Sequence, residues 1–303
     1  MHPAFWIGYW FIVGAFVGSF LNVVVYRLPR NCLSINNPRR SFCPSCKTQL
    51  KWNDNIPIVG YVLLRGKCRY CKAPYGARYP LVELLTALLF AFACWRAFYA
   101  DGLNLSGSPL AWLTLLHMTC VIGVLLPWAL IDLDLTYIPD KLTFGPLLVF
   151  VPFAAHADAF AAYLPSSISP LWFAFEPRWL NSLLSNVCTG VAAALVLWLI
   201  GKGATLLFRK KAEAIGGQAM GGADVKLMIL LGVMLGWPKL VAGFFIAILV
   251  GACFGIVQLL RGKGSGTPFG PYLATGAVVS MLATGWLVDF WNWYQRLLES
   301  LVS

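Results

Sequence analysis

Long apolar stretches alternate with short polar connections along almost the whole chain. Five of these stretches contain no Asp, Glu, Lys or Arg and are long enough to cross a bilayer as α-helices, which takes roughly 20 residues. They cover residues 3–26, 103–131, 179–201, 240–260 and 264–288. Three weaker candidates are shorter or carry charges near an end, and they cover residues 81–100, 141–157 and 219–237. The pattern predicts an all-α polytopic membrane protein with about eight transmembrane helices.

The composition supports the same class of protein. Hydrophobic residues make up 59% of the 303 residues and charged residues 12%, whereas soluble domains have roughly 45–50% and about 25%. Too little polar surface remains to coat a water-soluble globule. An intrinsically disordered chain and a small disulfide-rich scaffold are excluded by the same balance.

The positions of the positive charges indicate how the chain crosses the membrane. Residues 27–80 contain eleven of the 23 Lys and Arg residues, and eight more fall in the segments 132–141, 202–226 and 261–263. Cytoplasmic loops of membrane proteins are enriched in Lys and Arg, so we expect the N-terminus outside and residues 27–80 in the cytoplasm. The net charge of +11 is then mainly a feature of topology. Membrane lipids are an expected partner of the basic loop, and a nucleic acid is not.

These expectations divide the chain into three parts. Residues 1–26 form the first transmembrane helix, residues 27–80 a cytoplasmic loop, and residues 81–303 a membrane domain with the remaining seven helices. The final segment, 289–303, mixes aromatic and charged side chains. This mixture is typical of an amphipathic helix that lies at the membrane interface.

Four cysteines of the cytoplasmic loop form two Cys-x-x-Cys pairs. Cys43 and Cys46 make the first pair, and Cys68 and Cys71 follow after 21 residues. Two such pairs supply four thiolates for one tetrahedral ion, close to a known zinc-site spacing. Two disulfides or four unrelated thiols are the alternatives, although a reducing cytoplasm disfavours disulfides. We expect a structural zinc ion, because four Cys ligands leave no coordination position open for catalysis.

Acidic residues are rare, with twelve in the chain, and several lie at the cytoplasmic ends of predicted spans. Asp132, Asp134 and Asp140 follow the third span, and Asp224 begins the sixth. Asp132 and Asp134 would point about 200° apart on a helix, so Asp224 is the candidate partner for a carboxylate pair. Two adjacent carboxylates that share a proton can act as acid and base on a peptide bond. Charge placement alone nevertheless favours solvated charges at helix ends.

The order of the motifs resembles that of the bacterial type IV prepilin peptidases, also named prepilin leader peptidase/N-methyltransferases. The resemblance covers most of the chain. Its motifs are residues 18–23, residues 26–29, the paired cysteines, and residues 78–86, 131–140 and 220–227. These enzymes are intramembrane aspartyl proteases of the GxGD class. The resemblance therefore favours a catalytic role for the acids over the solvated one.

The resemblance also implies roles for individual residues. The catalytic pair corresponds to Asp132 and Asp224. The positions implied to support it are Asp134, Gly221, Gly222 and Lys226. A segment implied to serve methyl transfer or substrate binding contains Arg78, Tyr79, Pro80 and Glu83.

The implied activity is removal of the basic leader from type IV prepilins or type II secretion pseudopilins. It takes place at the cytoplasmic face of the bacterial inner membrane, and S-adenosylmethionine then serves to N-methylate the new N-terminal residue. Two positions depart from the family pattern: Ala223 replaces the second Gly of GxGD, and Ala87 replaces a Gly associated with methyl transfer. The alternatives are a peptidase without methyl transfer and an ion- or proton-coupled transporter.

Overall fold

The computed structural model describes residues 2–30, 41–99, 106–155, 177–207, 221–262 and 268–283, with scattered positions between 285 and 300. These described residues form helices and no strand. Two isolated β-bridges join Phe42 to Gln49 and Lys67 to Pro74. The predicted all-α class is confirmed.

The helices are named here in chain order. They are α1 (Pro3–Arg27), α2 (Val59–Leu63), α3 (Arg78–Tyr99), α4 (Pro109–Leu135), α5 (Asp140–Phe144), α6 (Leu147–Ala155), α7 (Arg178–Leu207), α8 (Gly222–Leu235), α9 (Trp237–Leu260) and α10 (Gly270–Leu282). A short 3-10 turn, Trp52–Asn55, precedes α2. Within the described ranges, five helices are long and apolar enough to cross a membrane, namely α1, α3, α4, α7 and α9.

Three of the eight predicted spans are shorter than expected in the described part of the chain. The span predicted at 141–157 consists of α5 and α6, because Pro146 lacks the N–H that a continuous helix needs at this point. The span predicted at 219–237 is the 14-residue helix α8, and the span at 264–288 is described as the 13-residue helix α10. Most of the predicted interfacial segment 289–303 lies outside the described residues.

Large apolar side chains are exposed along the long helices. Phe16 of α1 is 58% exposed, Leu199 of α7 53%, and Phe245 of α9 62%. Apolar surfaces of this extent are stable only against an apolar medium. Together with the five long helices, they identify a multi-pass membrane protein.

The chain divides into two compact units, Met1–Ile131 and Asp132–Ser303. In the first unit, α1 packs closely along α3 through two glycines four residues apart. A Cβ atom at Gly14 would lie 2.8 Å from the Cα of Ala87, and one at Gly18 would lie 2.8 Å from the Cα of Glu83. Small residues at this spacing let two helix backbones approach each other within a membrane.

Ala87 therefore has a defined place in the α1–α3 contact. Its side chain is fully buried, and it lies opposite Gly14. Its methyl group is accommodated between two packed helices. The glycine of α1 lets the backbone of α3 at Ala87 approach closely.

Glycines also form the closest helix contacts of the second unit. A Cβ atom at Gly190 of α7 would lie 2.6 Å from the carbonyl oxygen of Ile229 in α8, and Gly232 of α8 lies directly against Gly190. Between α9 and α10, a Cβ atom at Gly243 would lie 3.1 Å from the carbonyl oxygen of Gly276. Almost every residue of α8 from position 227 to 235 is buried. The α7–α8 contact therefore fixes α8, which carries Asp224.

We expect Gly190→Ala to destabilise the protein by about 1–3 kcal/mol, because an added methyl group must displace the backbone of α8. Gly203→Ala is a matched control on the same helix, since a Cβ atom there meets nothing within 4 Å. Thermal unfolding of the purified protein in detergent should give a lower midpoint for Gly190→Ala only. Equal midpoints for the two variants would contradict the close contact.

Candidate functional site

Asp132 lies near the C-terminal end of α4, and only 5% of it is exposed. Its carboxylate accepts a hydrogen bond from the backbone N–H of Gly270, the first residue of α10. The carboxylate oxygen Oδ2 is buried and has no hydrogen-bond partner among the described residues. Asp132 therefore has one firm donor and one oxygen that is free to bind a further group.

Asp224 is the third residue of α8, in the turn that follows the N-cap residue Gly221, and is 9% exposed. Its carboxylate interacts electrostatically with that of Asp132. A Cβ atom at Gly222 would meet nothing within 4 Å, so the backbone that precedes Asp224 borders open space. The fold thus brings together the two acids that the sequence analysis paired, with free volume beside one of them.

The other polar residues near this pair lie at the surface. Asp134 is exposed, as expected for a residue on the opposite side of α4 from Asp132. Lys226 forms an ion pair with Asp140, with 2.6 Å between Nζ and Oδ1, and both side chains are exposed. An exposed pair of this kind contributes about 0–1 kcal/mol to stability. Lys226 is therefore held by Asp140 rather than by either buried aspartate.

The four loop cysteines form one cluster. The Sγ atoms of Cys43, Cys46, Cys68 and Cys71 all lie within 4.8 Å of one another. Cys43 and Cys68 are fully buried. All eight cysteines in the described residues are free thiols, and Cys32 lies outside that part. Four sulfur atoms at these distances can hold one metal ion, as their spacing in the sequence predicts.

Both cysteine pairs adopt the same turn. The residue after the second cysteine, Lys47 or Lys72, has left-handed backbone geometry, with φ of 59° and 60°. Its backbone N–H donates to the carbonyl oxygen of the first cysteine, at 2.8 Å in the first pair and 3.1 Å in the second. Two copies of one turn present two sulfurs each, which is the arrangement of a four-sulfur metal site.

Local hydrogen bonds favour the thiolate form of two of the four cysteines. The backbone N–H of Cys71 and the hydroxyl of Tyr75 lower the pKa of Cys68 to about 6. Hydrogen bonding to Thr48 lowers the pKa of Cys46. Thiolates are the form in which cysteines bind metals. The four cysteines therefore fit a metal site whose ligands are all sulfur atoms.

The segment implied in methyl transfer begins at the N-terminus of α3. The guanidinium Nη2 of Arg78 donates to the carbonyl oxygen of Leu130 at 3.5 Å. The carbonyl oxygen of Tyr79 accepts a hydrogen bond from the Asn22 side chain at 3.1 Å. The second of these bonds joins the start of α3 to the C-terminal part of α1.

Glu83 is held in place from two directions. Its Oε2 accepts a hydrogen bond from the backbone N–H of Ile58 at 2.7 Å, and its carboxylate also bonds the hydroxyl of Ser19. Ile58 has φ of 62°, a conformation that is rare and costly for a β-branched residue. Only 9% of Glu83 is exposed. The loop therefore adopts a strained backbone at the point where it binds this carboxylate.

An open cavity lies between α1, the loop and the start of α3, within the first unit. It encloses about 1040 Å³ of empty space, including the part that opens to solvent. Tyr79, Pro80 and Glu83 line it, which are three of the four residues implied in methyl transfer. The remaining wall is rich in aromatic side chains, namely Tyr26, Phe42, Tyr61 and Tyr75.

A second carboxylate, that of Asp54, lines the same cavity. Arg69 donates to its Oδ1 through Nε at 2.8 Å and through Nη2 at 2.6 Å. The Asp54 side chain is fully buried, and its Oδ2 has no hydrogen-bond partner in the described part of the chain. The hydrogen-bonding capacity of this carboxylate is therefore only partly used within the described residues.

Gly270 and Asp54 were not identified from the sequence, and Ser19 was included only as part of the motif at residues 18–23. The dipeptide Gly270-Pro271 is a recognisable helix start, but nothing in it indicates contact with Asp132. Asp54 and Ser19 belong to a loop and to an apolar helix, and their relevance follows only from the cavity that these elements enclose. No local signal in the sequence distinguishes them.

Two family models match the chain, one over the cysteine cluster and the cavity and the other over the two aspartates. Residues 12–97 match the bacterial peptidase A24 N-terminal domain, and residues 119–256 match the type IV leader peptidase family. The first match contains the cysteine cluster and the cavity residues from Ser19 to Glu83. The second contains both Asp132 and Asp224.

Three full-length relatives are named prepilin leader peptidase/N-methyltransferase. The protein of Pseudomonas aeruginosa is 34% identical over 305 residues, which cover 93% of this chain and 91% of that protein. The protein of Legionella pneumophila is 32% identical over 94% of this chain and 95% of its own length. The protein of Bacillus subtilis is 32% identical over 93% and 96%.

No solved structure matches the chain. The sequence relatives are sufficient to assign the family. Their similarity extends over nearly the whole of both chains and includes the segments that carry the aspartates and the cysteines. The resemblance seen in the motif order is confirmed. The chain belongs to the type IV leader peptidase family.

Proposed function

We propose that the protein cleaves the leader peptide from type IV prepilins or type II secretion pseudopilins and N-methylates the new N-terminal residue. The peptidase proposal rests on the interaction between two buried carboxylates, Asp132 and Asp224, in the segment similar to leader peptidases. The methyltransferase proposal rests on the double name that the relatives share. None of the relatives named above is described as a transporter, and we do not propose transport.

The surroundings of the two aspartates suggest different roles for them. Asp132 accepts a backbone N–H hydrogen bond, which favours its ionised form. Two neighbouring carboxylates do not readily ionise together, so Asp224 holds the shared proton. Asp132 then takes a proton from water as the water oxygen attacks the carbonyl carbon, and Asp224 donates its proton to the carbonyl oxygen. As this intermediate collapses and the C–N bond breaks, Asp224 takes back a proton from one hydroxyl, and the leaving amine takes the proton from Asp132.

The remaining family-derived residues are proposed as the surroundings of this pair. The open space at Gly222 would admit an extended substrate segment, and Gly221 starts the helix that presents Asp224. Asp134 and Lys226 are exposed and would act at most through the local charge. Ala223 adds one methyl group to the GxGD pattern in the first turn of α8.

We propose zinc as the ion held by Cys43, Cys46, Cys68 and Cys71, because a cluster of four thiols is a common structural zinc site. The ion would fix the fold of the loop and would take no part in catalysis.

S-adenosylmethionine is the proposed methyl donor. When bound, it would supply an activated methyl group for the new N-terminal amine, which would lose one proton in exchange. Arg78, Tyr79, Pro80 and Glu83 are the residues proposed to serve this step or to hold its substrate.

The proposed location is the bacterial inner membrane, with the N-terminus outside and both sites facing the cytoplasm. The support is the concentration of eleven Lys and Arg residues in segment 27–80. In this arrangement residues 1–26 form the first membrane helix, residues 27–80 the cytoplasmic zinc loop next to the lipid surface, and residues 81–303 the membrane domain with the protease.

A prepilin with an intact Gly before the cut, and the same prepilin with this Gly replaced by a bulky residue, test the proposal directly. We expect cleavage of the first substrate only, in membranes that contain the protein. Mass spectrometry of the new N-terminus should show the added mass of one methyl group when S-adenosylmethionine is present. An uncut prepilin would overturn the peptidase proposal, and a cut but unmethylated one would leave a peptidase alone.

A further inference from the structure

We propose that helix α2 of the loop is an interfacial membrane anchor, which inserts one apolar face into the cytoplasmic leaflet and binds anionic phospholipids. The inserting surface, named here the α2 patch, consists of Trp52, Val59, Val62 and Leu63. The inference rests on the proposed location only for the choice of leaflet. It assigns the expected contact between loop and lipid to one element and to particular side chains.

The α2 patch is an exposed apolar surface on the loop. Val62 is 65% exposed and Leu63 72%, and Trp52, in the 3-10 turn that contacts α2, is 82% exposed. Val59, Val62 and Leu63 share one side of α2, because residues three and four apart are neighbours on a helix surface. Large apolar side chains exposed together mark a surface that binds a partner or a membrane.

Helix α2 has no polar side that would suit it to water. The segment Val59–Leu63 contains no charged residue. Gly60 and Tyr61 line the cavity, and the carbonyl oxygen of Asp54 lies against Gly60. A helix that is apolar all round is normally buried all round. Only the outer side of α2 therefore lacks a cover among the described residues.

The position of α2 along the membrane helices favours lipid as this cover. Ile58, directly before α2, donates its N–H to Glu83, whose carboxylate also bonds Ser19. Glu83 lies five residues beyond Arg78, where α3 begins, and Ser19 lies eight residues before Arg27, where α1 ends. At 1.5 Å per residue, these positions are about 8 Å and about 12 Å inside the helix ends.

The start of α2 is therefore level with the lipid-facing part of α3. Leu81 and Leu85, on either side of Glu83 in the chain, are 61% and 46% exposed on this apolar helix. The headgroup layer on each side of a bilayer is only about 5–8 Å thick. Residues next to Ile58 consequently lie near the boundary between headgroups and acyl chains, where an apolar side chain such as Val59 gains by insertion.

The charges of the loop complement an anionic surface. Segment 27–80 contains eleven Lys and Arg residues and one acid, Asp54. The Asp54 side chain is fully buried and paired with Arg69. Lys51 directly precedes the 3-10 turn, Arg65 and Lys67 follow α2, and all three are exposed. Lys and Arg can lay their stems along apolar surface and extend their charges to the headgroups.

The same charges disfavour a second copy of this chain as the cover. Two copies joined through the α2 patch would bring their basic residues together, and like charges oppose association. The aromatic member of the patch also suits lipid, because Trp is enriched at membrane–water interfaces. An anionic leaflet therefore satisfies both the apolar and the charged parts of this surface.

The test is photocrosslinking of the full-length, zinc-loaded protein in vesicles of phosphatidylcholine and phosphatidylglycerol. A benzophenone amino acid replaces Leu63 in one sample and Tyr70 in a matched control. Tyr70 is also exposed, at 43%, but lies between Cys68 and Cys71, outside the patch. We expect about tenfold more lipid adduct at position 63 by mass spectrometry, since burial of one leucine-sized side chain favours the membrane by about this factor.

A second measurement varies the lipid charge. Vesicles of phosphatidylcholine alone should give less adduct at position 63 than the mixed vesicles. The double variant Arg65→Gln and Lys67→Gln should lose most of this difference, because each base near an anionic surface contributes about fivefold to binding. Lys202→Gln, at an exposed base of the second unit, should keep the full difference. The zinc content of each sample reports whether the loop remains folded.

Three results would overturn the inference. Equal lipid adducts at positions 63 and 70 would remove the patch from the membrane. Adducts at position 63 to a second copy of the chain, in place of lipid, would make the patch a protein interface. A wild-type yield that ignores lipid charge would refute binding of anionic headgroups. None of these measurements requires cleavage or methylation, so failure of the proposed function is distinguishable from failure of the anchor.

Discussion

Asp132→Asn and Asp224→Asn are each expected to reduce leader cleavage by about 10³-fold or more, because general acid and general base steps each contribute roughly 10²–10⁴-fold. An amide can neither accept the proton of the attacking water nor donate one to the carbonyl oxygen as a carboxyl group does. The measurement is the initial rate of prepilin cleavage in membranes with matched amounts of each variant.

The fold of these variants should survive the substitution. Both aspartates are buried, and the Oδ2 of Asp132 has no partner among the described residues. Replacing the ionised Asp132 with a neutral amide of the same shape removes a desolvation cost, and Asp224 is already neutral in the proposed pair. We therefore expect thermal unfolding midpoints equal to or above that of the wild type. Loss of activity with unchanged stability separates a catalytic role from a structural one.

Asp140→Asn is the matched control for these two variants. Asp140 lies in the same unit and pairs with Lys226 at the surface, with 65% of its side chain exposed. Its replacement should change the cleavage rate by less than about twofold, since exposed ion pairs contribute little. Substantial cleavage by Asp132→Asn or Asp224→Asn would remove that residue from the catalytic pair.

Removal of the metal is expected to have the second large effect. In small zinc domains the ion contributes about 10–16 kcal/mol of apparent binding free energy at neutral pH, and this energy stabilises the fold. The loop between residues 41 and 77 contains one 3-10 turn and the five-residue helix α2. So little regular structure cannot by itself hold Cys43 and Cys68 in their fully buried positions.

Cys68→Ser should therefore lose most of its zinc after dialysis against a weak chelator, and the loop should become sensitive to proteases. Cys253→Ser serves as the control, because Cys253 is an exposed thiol of α9 outside the cluster. Elemental analysis of the purified variants gives the zinc-to-protein ratio, and limited proteolysis reports cuts between residues 41 and 77. A full complement of zinc in Cys68→Ser would contradict the four-cysteine site.

The same variant links the metal to the cavity. Because Phe42, Pro44 and Tyr75 lie both next to the cysteines and in the cavity wall, loss of zinc should disturb that wall and the start of α3 that borders it. The aspartate pair lies in the other compact unit, so cleavage should decline less than methylation.

Several features of this protein could be predicted from short stretches of sequence because their causes are local. An apolar run long enough to cross a bilayer forms a helix, because no water is available to the backbone polar groups there. The Cys-x-x-Cys pairs indicate a metal cluster because each turn places its own two sulfurs together. Helix breaks were less well predicted, and the span at 141–157 was expected as one helix although Pro146 divides it.

The sequence by itself was enough to predict the membrane class, the four-cysteine cluster, the family and the pairing of Asp132 with Asp224. Only the tertiary structure decided what surrounds them: the amide of Gly270 on Asp132, the fixing of α8 by Gly190, and the cavity that joins Glu83 to Asp54. The physical reason is that these contacts join residues far apart in the chain. Hydropathy and local spacing carry no information about which helix faces meet, and such contacts exist only once the helices have packed.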